Sequence, residues 1–192
     1  MAVDKKLTKA SGEHWVCSML ARHCWAPALT RDGLERTDIL AVAACVETRP
    51  TVEIQVKTAT QMAGVTSWFL GAKGLLHSRS HHEWYVFVML PMPPSAPRGF
   101  VVPRDHVSAS TWIVHQNWRT DPSAPAGKRN TDVSQARVNS TVWEGYENRW
   151  DLLERPTSEV PVLLPAWLRP MAVDPRVSLP PGHPWMVRLP DW

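Results

Sequence analysis

The sequence predicts an α/β domain in the broad sense that includes α+β folds: a mixed central β-sheet flanked by helices, followed by a proline-rich C-terminal tail. Three observations predict it. Thr51–Thr58 alternates polar and apolar residues without a break, the period of two of a strand with one buried face. Residues 84–90 are nearly all apolar, which suits a central strand covered on both faces. Val16, Met19, Leu20 and Cys24 recur at helical spacing.

The bulk composition agrees with this class. The 192 residues suit one domain with a short appendage, here residues 1–155 and a Pro/Trp-rich extension over 156–192. At 44% apolar and 20% charged residues the chain can bury a core and does not read as disordered. No apolar run approaches the ~20 residues of a membrane span, and no apolar segment follows the charged start as in a secretory signal. Cys17, Cys24 and Cys45 cannot all pair and lack zinc spacing, so they read as buried free thiols in a reducing cytoplasm. A formal charge of +3 and a pI near 8.9 permit a nucleic-acid partner without demanding one.

In chain order, residues 1–10 are polar, basic and expected to fray. Ser11 can cap a helix running to Cys24. Glu13 then falls on or beside the apolar stripe, either as a first-turn acid favoured by the helix dipole or as an acid aimed into a site. A turn at Ala26-Pro27 and the polar residues Arg31-Asp32-Gly33 lead to a strand over 37–43, with Asp38 at its head. Arg49-Pro50 turns the chain into Thr51–Thr58, so the two strands form an antiparallel hairpin. Residues 66–70 fit a helical turn or a loop, among glycines that weaken any long helix. The loop holding Lys73, His77, Arg79, His81 and His82 lacks the motif of a histidine zinc site. A short strand over 99–103 follows the 84–90 strand, and a helix over 104–118 places Val107, Thr111 and Val114 on one stripe. Residues 119–142 read as polar loop carrying Lys128, Arg129 and Arg137, and 144–153 as helical with Tyr146, Trp150 and Leu153 as anchors. Prolines spaced from Pro156 to Pro190 predict an extended tail that straps the domain through Trp167, Trp185 and Trp192 or binds a partner.

The polar residues describe one ordered pattern: Glu13 on the first helix, Asp38 at a strand start, then Gln55 and Lys57 on one strand face, roughly 6.5–7 Å apart along the chain. With Gly12-Glu13, Thr37-Asp38 and Ile54-Gln55-Val56-Lys57-Thr58, the chain resembles the PD-(D/E)XK nuclease superfamily with its restriction-endonuclease-like core, in the variant that carries glutamine in place of the second acidic residue. The resemblance spans about residues 9–103, and at its widest to Leu153. It implies a core of order αβββαβ.

The resemblance also implies a metal-dependent DNA endonuclease, acting in restriction, repair or defence. Mg2+, with Mn2+ able to substitute, would be held by Asp38, the Gln55 amide oxygen, the Val56 backbone carbonyl and Glu13, directly or through water. Lys57 would orient or deprotonate the attacking water. Because a neutral amide binds a hard cation less strongly than a carboxylate, one tightly held ion is expected rather than two. Lys73, Arg79, His81, Lys128 and Arg129 are candidate DNA contacts, and Trp112, Trp118, Trp143 and Trp150 could stack bases. The resemblance admits a homodimer, for which the sequence carries no interface signal. Two other readings accompany it: a nuclease-fold protein with weakened or lost catalysis that binds nucleic acid or a protein, and a plain solvated strand face.

Overall fold

The first helix begins at a cap: the Asp4 Oδ1 accepts the Lys6 N–H at 2.8 Å. The strong helix formers Lys5, Lys6, Leu7, Lys9 and Ala10 then carry α1 over Lys5–Arg22. The helix therefore starts before the expected Ser11 cap, and Ser11 lies exposed inside it. Glu13 is accordingly in the third turn, which removes the first-turn dipole explanation for it. The computed structural model describes residues 4–30, 34–61, 64–125 and 127–192; of the stretch 1–10 expected to fray, residues 5–10 are helical instead, while its residues 1–3 and the polar turn at 31–33 lie outside the described residues.

The chain continues through β1 (Trp25–Leu29), β2 (Ile39–Ala43), β3 (Thr51–Thr60), a short β4 (Ser67–Phe69), β5 (Glu83–Leu90) and β6 (Arg98–Pro103). Helix α2 (Arg104–Arg119), β7 (Arg137–Asn139) and α3 (Leu168–Val173) follow. Five strands form a mixed sheet in the order β1-β2-β3-β5-β6. β1, β2 and β3 run antiparallel in turn, β3 and β5 pair parallel over eight residues, and β5 and β6 are antiparallel. The expected turn at Ala26-Pro27 is instead part of β1; as the edge strand, it leaves Pro27 free of a second partner that would need its missing N–H. Residues 67–69, expected as a helical turn or loop, pair with β7. Among the described residues, the crossover from β3 to β5 holds β4 and a 3-10 turn at Ala72–Leu75, with no α-helix where the order αβββαβ places one.

The alternation in β3 sorts the layers. Val52, Ile54 and Val56 are buried, and α1 lies on their face: Gly12 packs so closely on Thr58 that an added Cβ would fall 1.9 Å from Thr58 Oγ1. Arg104 opens α2 on the opposite face, reaching Gln55 and Tyr85. Trp68 and Trp143 pack against Phe87 there, which covers the second face of β5. Residues 144–153 form two 3-10 turns rather than a helix, yet Tyr146, Trp150 and Leu153 are buried as expected.

The tail is folded, not extended. Val160, Val162, Leu164, Leu168, Val177 and Leu179 join the core, whereas Trp167 is exposed. It is tied along α2: Trp112 donates to the Val177 carbonyl, Arg176 to Asn117 and Thr120, and His183 contacts the Asp105 carbonyl. The cysteines also differ from expectation. Cys17 is half-buried, while Cys24 and Cys45 are exposed neighbours, all three as free thiols. No described helix is long and apolar enough to cross a membrane.

Candidate active site

Asp38 sits one residue before β2, where that strand parts from β3. Its N–H donates to the Ile54 carbonyl at 2.9 Å, and its Oδ2 accepts the Val56 N–H at 2.8 Å. Both backbone polar groups of a strand residue face the same edge, so the Val56 carbonyl points to the Asp38 side as well. From the other layer, α1 brings Glu13 and Lys9 over this edge. The Lys9 ammonium lies 3.4 Å from Glu13 Oε1 and 3.8 Å from Asp38 Oδ1, standing between two partly exposed carboxylates.

These contacts show in the proton affinities. The Glu13 carboxyl is raised above its ordinary value, by burial first and by the Asp38 charge, with Lys9 opposing. Lys57 is lowered, chiefly by burial; Asp38 draws it back up, while Lys73, Arg104 and Lys9 push it further down. The Asp38 charge thus acts on both Glu13 and Lys57. The Lys73 charge acts on Lys57 as well.

Gln55 is oriented by a group the sequence did not single out. Its Oε1 accepts from Arg104 Nη2 at 3.1 Å. A guanidinium can only donate, which fixes the amide oxygen toward Arg104 and turns the NH2 group away from it. Arg104 is 1% exposed and also donates to the Tyr85 hydroxyl and the Arg36 carbonyl. Its Nε lies 2.7 Å from Glu83 Oε2 as an ion pair without a well-aligned hydrogen bond. Arg36 shares that carboxylate at 2.7 Å. Two arginines around one buried glutamate leave a local excess of positive charge behind Gln55.

This network was not legible because it depends on the parallel register, which sets Glu53 beside Glu83 and Gln55 beside Tyr85. The one available signal was Glu83, a carboxylate heading an otherwise apolar strand. Glu53, on the same face as Gln55, accepts the Thr37 hydroxyl at 3.1 Å.

Three comparisons, with family models, with curated proteins and with solved structures, gave no match. The residues therefore carry the reading alone. Among the described residues, no three His, Cys, Asp or Glu side chains converge on one point as a metal cluster. Mg2+ needs fewer: one or two carboxylates, with waters and substrate phosphate completing the shell. Asp38 Oδ1, Glu13 and the Val56 carbonyl are compatible with that donor set, and the place of Lys9 shows that the two carboxylates accept a shared cation. Gln55 fits it least, since its oxygen is engaged by a cationic donor.

The remaining candidates scatter. Arg79 and His81 lie in the loop before β5, where the Arg79 N–H donates to Glu83 Oε1. Arg129 stacks on Trp118 and bonds the Trp118 carbonyl and Asp121, at the far end of α2. That helix has 16 residues, about 24 Å, so Lys128 and Arg129 lie roughly that far from Arg104. Of the four proposed stacking tryptophans, Trp143 and Trp150 are buried, Trp112 is tied to Val177, and Trp118 is 41% exposed.

Proposed function

We propose that this protein is a metal-dependent endonuclease that hydrolyses DNA phosphodiester bonds, built on a variant of the restriction-endonuclease-like core in which a short strand and a 3-10 turn replace the crossover helix. The observation that carries the reading is the convergence of Glu13 and Asp38 on the Lys9 ammonium at the point where β2 leaves β3, with the Asp38 charge also acting on Lys57. Bound there, Mg2+ would supply Lewis acidity and lower the pKa of a bound water. The chain's own share follows from its geometry. Asp38 is oriented by the Val56 N–H, which leaves Oδ1 for the cation. Lys57, whose burial favours the neutral amine, takes a proton from the water that attacks phosphorus. The resulting ammonium then offsets charge on the phosphoryl oxygens while the bond to the leaving oxygen breaks and that oxygen takes a proton from solvent. Gln55, held by Arg104, has its NH2 group available as a hydrogen-bond donor.

A plasmid-cleavage assay with Mg2+ or Mn2+ tests this. Asp38→Ala is expected to abolish cleavage and Lys57→Ala to slow it by roughly 10²–10⁴-fold. The wild-type rate should climb with pH through a Lys57 value below the ordinary 10.5. Undiminished cleavage by both variants would sink the proposed site. The second reading, a nucleic-acid binder with lost catalysis, is favoured by the Arg104–Gln55 bond, which turns a ligand oxygen toward a guanidinium. DNA binding with no metal-dependent cleavage would select it.

A further inference from the structure

A cavity of about 710 Å3 opens beside the loop before β5, and none of Glu13, Asp38, Gln55 or Lys57 lines it. Its volume lies within the ~300–1,000 Å3 of small-molecule sites. Its walls come from the loop at 77–81, the first turn of α2 and two stretches of the folded tail, 157–162 and 184–191.

The deep wall presents hydrogen-bond donors. Tyr146 Oη accepts the Leu163 N–H at 2.9 Å and lies 2.7 Å from His106 Nδ1. Among the described residues the buried phenol has no other acceptor for its one proton, so we assign that proton to Nδ1 and the imidazole's own to Nε2. Burial, opposed in part by Asp105, lowers His106 to about 3, and the neutral tautomer therefore persists at physiological pH. His106 is 3% exposed, lines the cavity, and its Nε2–H has no hydrogen-bond partner among the described residues. Thr157 on the same wall is 5% exposed, and its buried hydroxyl also lacks a partner among the described residues.

The mouth is basic and one side is apolar. The guanidinium groups of Arg79 and Arg188 pair with no carboxylate among the described residues, and His77 and His81 stand exposed beside them. Of the two carboxylates in the lining, Asp105 is taken up by the Ser78 N–H and hydroxyl at 2.7 and 2.8 Å, and Asp191 is exposed at the rim. Val160, Val162, Trp185 and Leu189 form the apolar side.

The geometry points to a binding site for a nucleotide phosphate, with the phosphate between His106 Nε2–H and the two guanidinium groups and the base or sugar against Trp185 and Leu189. Two forks of guanidinium donors suit a phosphate's several oxygens. The cavity shares no lining residue with the Asp38–Lys57 site, and binding in it does not depend on cleavage there. A free nucleotide and the 5′-phosphorylated end of a DNA strand share the required chemistry.

Titration calorimetry in EDTA, with thymidine, thymidine 5′-monophosphate and a 5′-phosphorylated tetrathymidylate as probes, tests the site without engaging the metal reaction. The monophosphate should bind about tenfold or more tighter than thymidine, and an Arg79→Ala/Arg188→Ala variant, altered only at exposed positions, should lose about tenfold or more of that affinity. Equal affinity for monophosphate and tetranucleotide assigns a free nucleotide; a tetranucleotide about tenfold tighter or more assigns a strand end. Absence of binding by both phosphorylated probes, equal binding of thymidine and its monophosphate, or affinity unchanged in the double variant would overturn the proposal.

Discussion

Glu13 illustrates how a single carboxylate can be costly to the fold and useful to a site. Burial and Asp38 raise its pKa above the ordinary 4.5, so the folded chain holds this proton more tightly than the unfolded chain. The sign follows: stability falls as pH rises through the interval between 4.5 and the raised value, and the loss is complete above it. Glu13→Gln should therefore raise the melting temperature at pH 7 in EDTA and leave it unchanged at pH 3, where both side chains are neutral. A lower melting temperature at pH 7 would show that the pair with Lys9 outweighs the burial cost. Asp38 and Lys57 were legible from alternation and order, because a strand's period of two fixes which side chains share a face. Arg104 was not, since nothing local marks the residue after Pro103 as the partner of Gln55, 49 positions earlier.

Among the elements, α1 depends on one absent side chain. Gly12 lets the helix approach β3 until its α-carbon rests over Thr58. In Gly12→Ala the new Cβ would meet Thr58 Oγ1 at 1.9 Å and its Cβ at 2.9 Å, so the helix must move. Overpacking of this kind costs typically ~1–3 kcal/mol, and the same displacement would shift Glu13 away from Asp38. Urea denaturation and cleavage should fall together, and adding Thr58→Ala should restore part of both. Full stability in Gly12→Ala would mean that the helix slides without cost. Elements with a long regular pattern, β3, β5 and α2, were legible. β1 was hidden by Pro27, which reads as a turn until its edge position is known. β4 and β7 are three-residue strands paired across about seventy residues, a separation that leaves no local trace.

For the whole molecule, the tail is structural. Its prolines excluded long helices and sheet interiors, as expected; its fully buried apolar side chains are aliphatic, while Trp185 and Trp192 pack partly buried against the core as expected and Trp167 does not. Burying a valine or leucine is worth ~1.5–3 kcal/mol, so the six buried at 160–179 rival the ~5–15 kcal/mol by which domains are stable. Deletion of residues 156–192 should abolish the cooperative thermal transition and produce dye binding to exposed apolar surface. A truncated chain that melted cooperatively near the full-length temperature would mark the tail as a dispensable attachment.

The path of that tail also sets an order on biogenesis. Residues 156–192 leave the ribosome after the sheet and α2, at the ~5–20 residues per second of synthesis. Until they emerge, the flank of α2 that receives Val177, Arg176 and His183 is uncovered. The nascent chain therefore passes through a stage in which its five-stranded sheet can form while its last apolar surface is open, a stage suited to chaperone capture. The tail also supplies Thr157, Trp185 and Arg188 to the cavity beside the 77–81 loop, so that binding site requires residues 156–192 in place along α2.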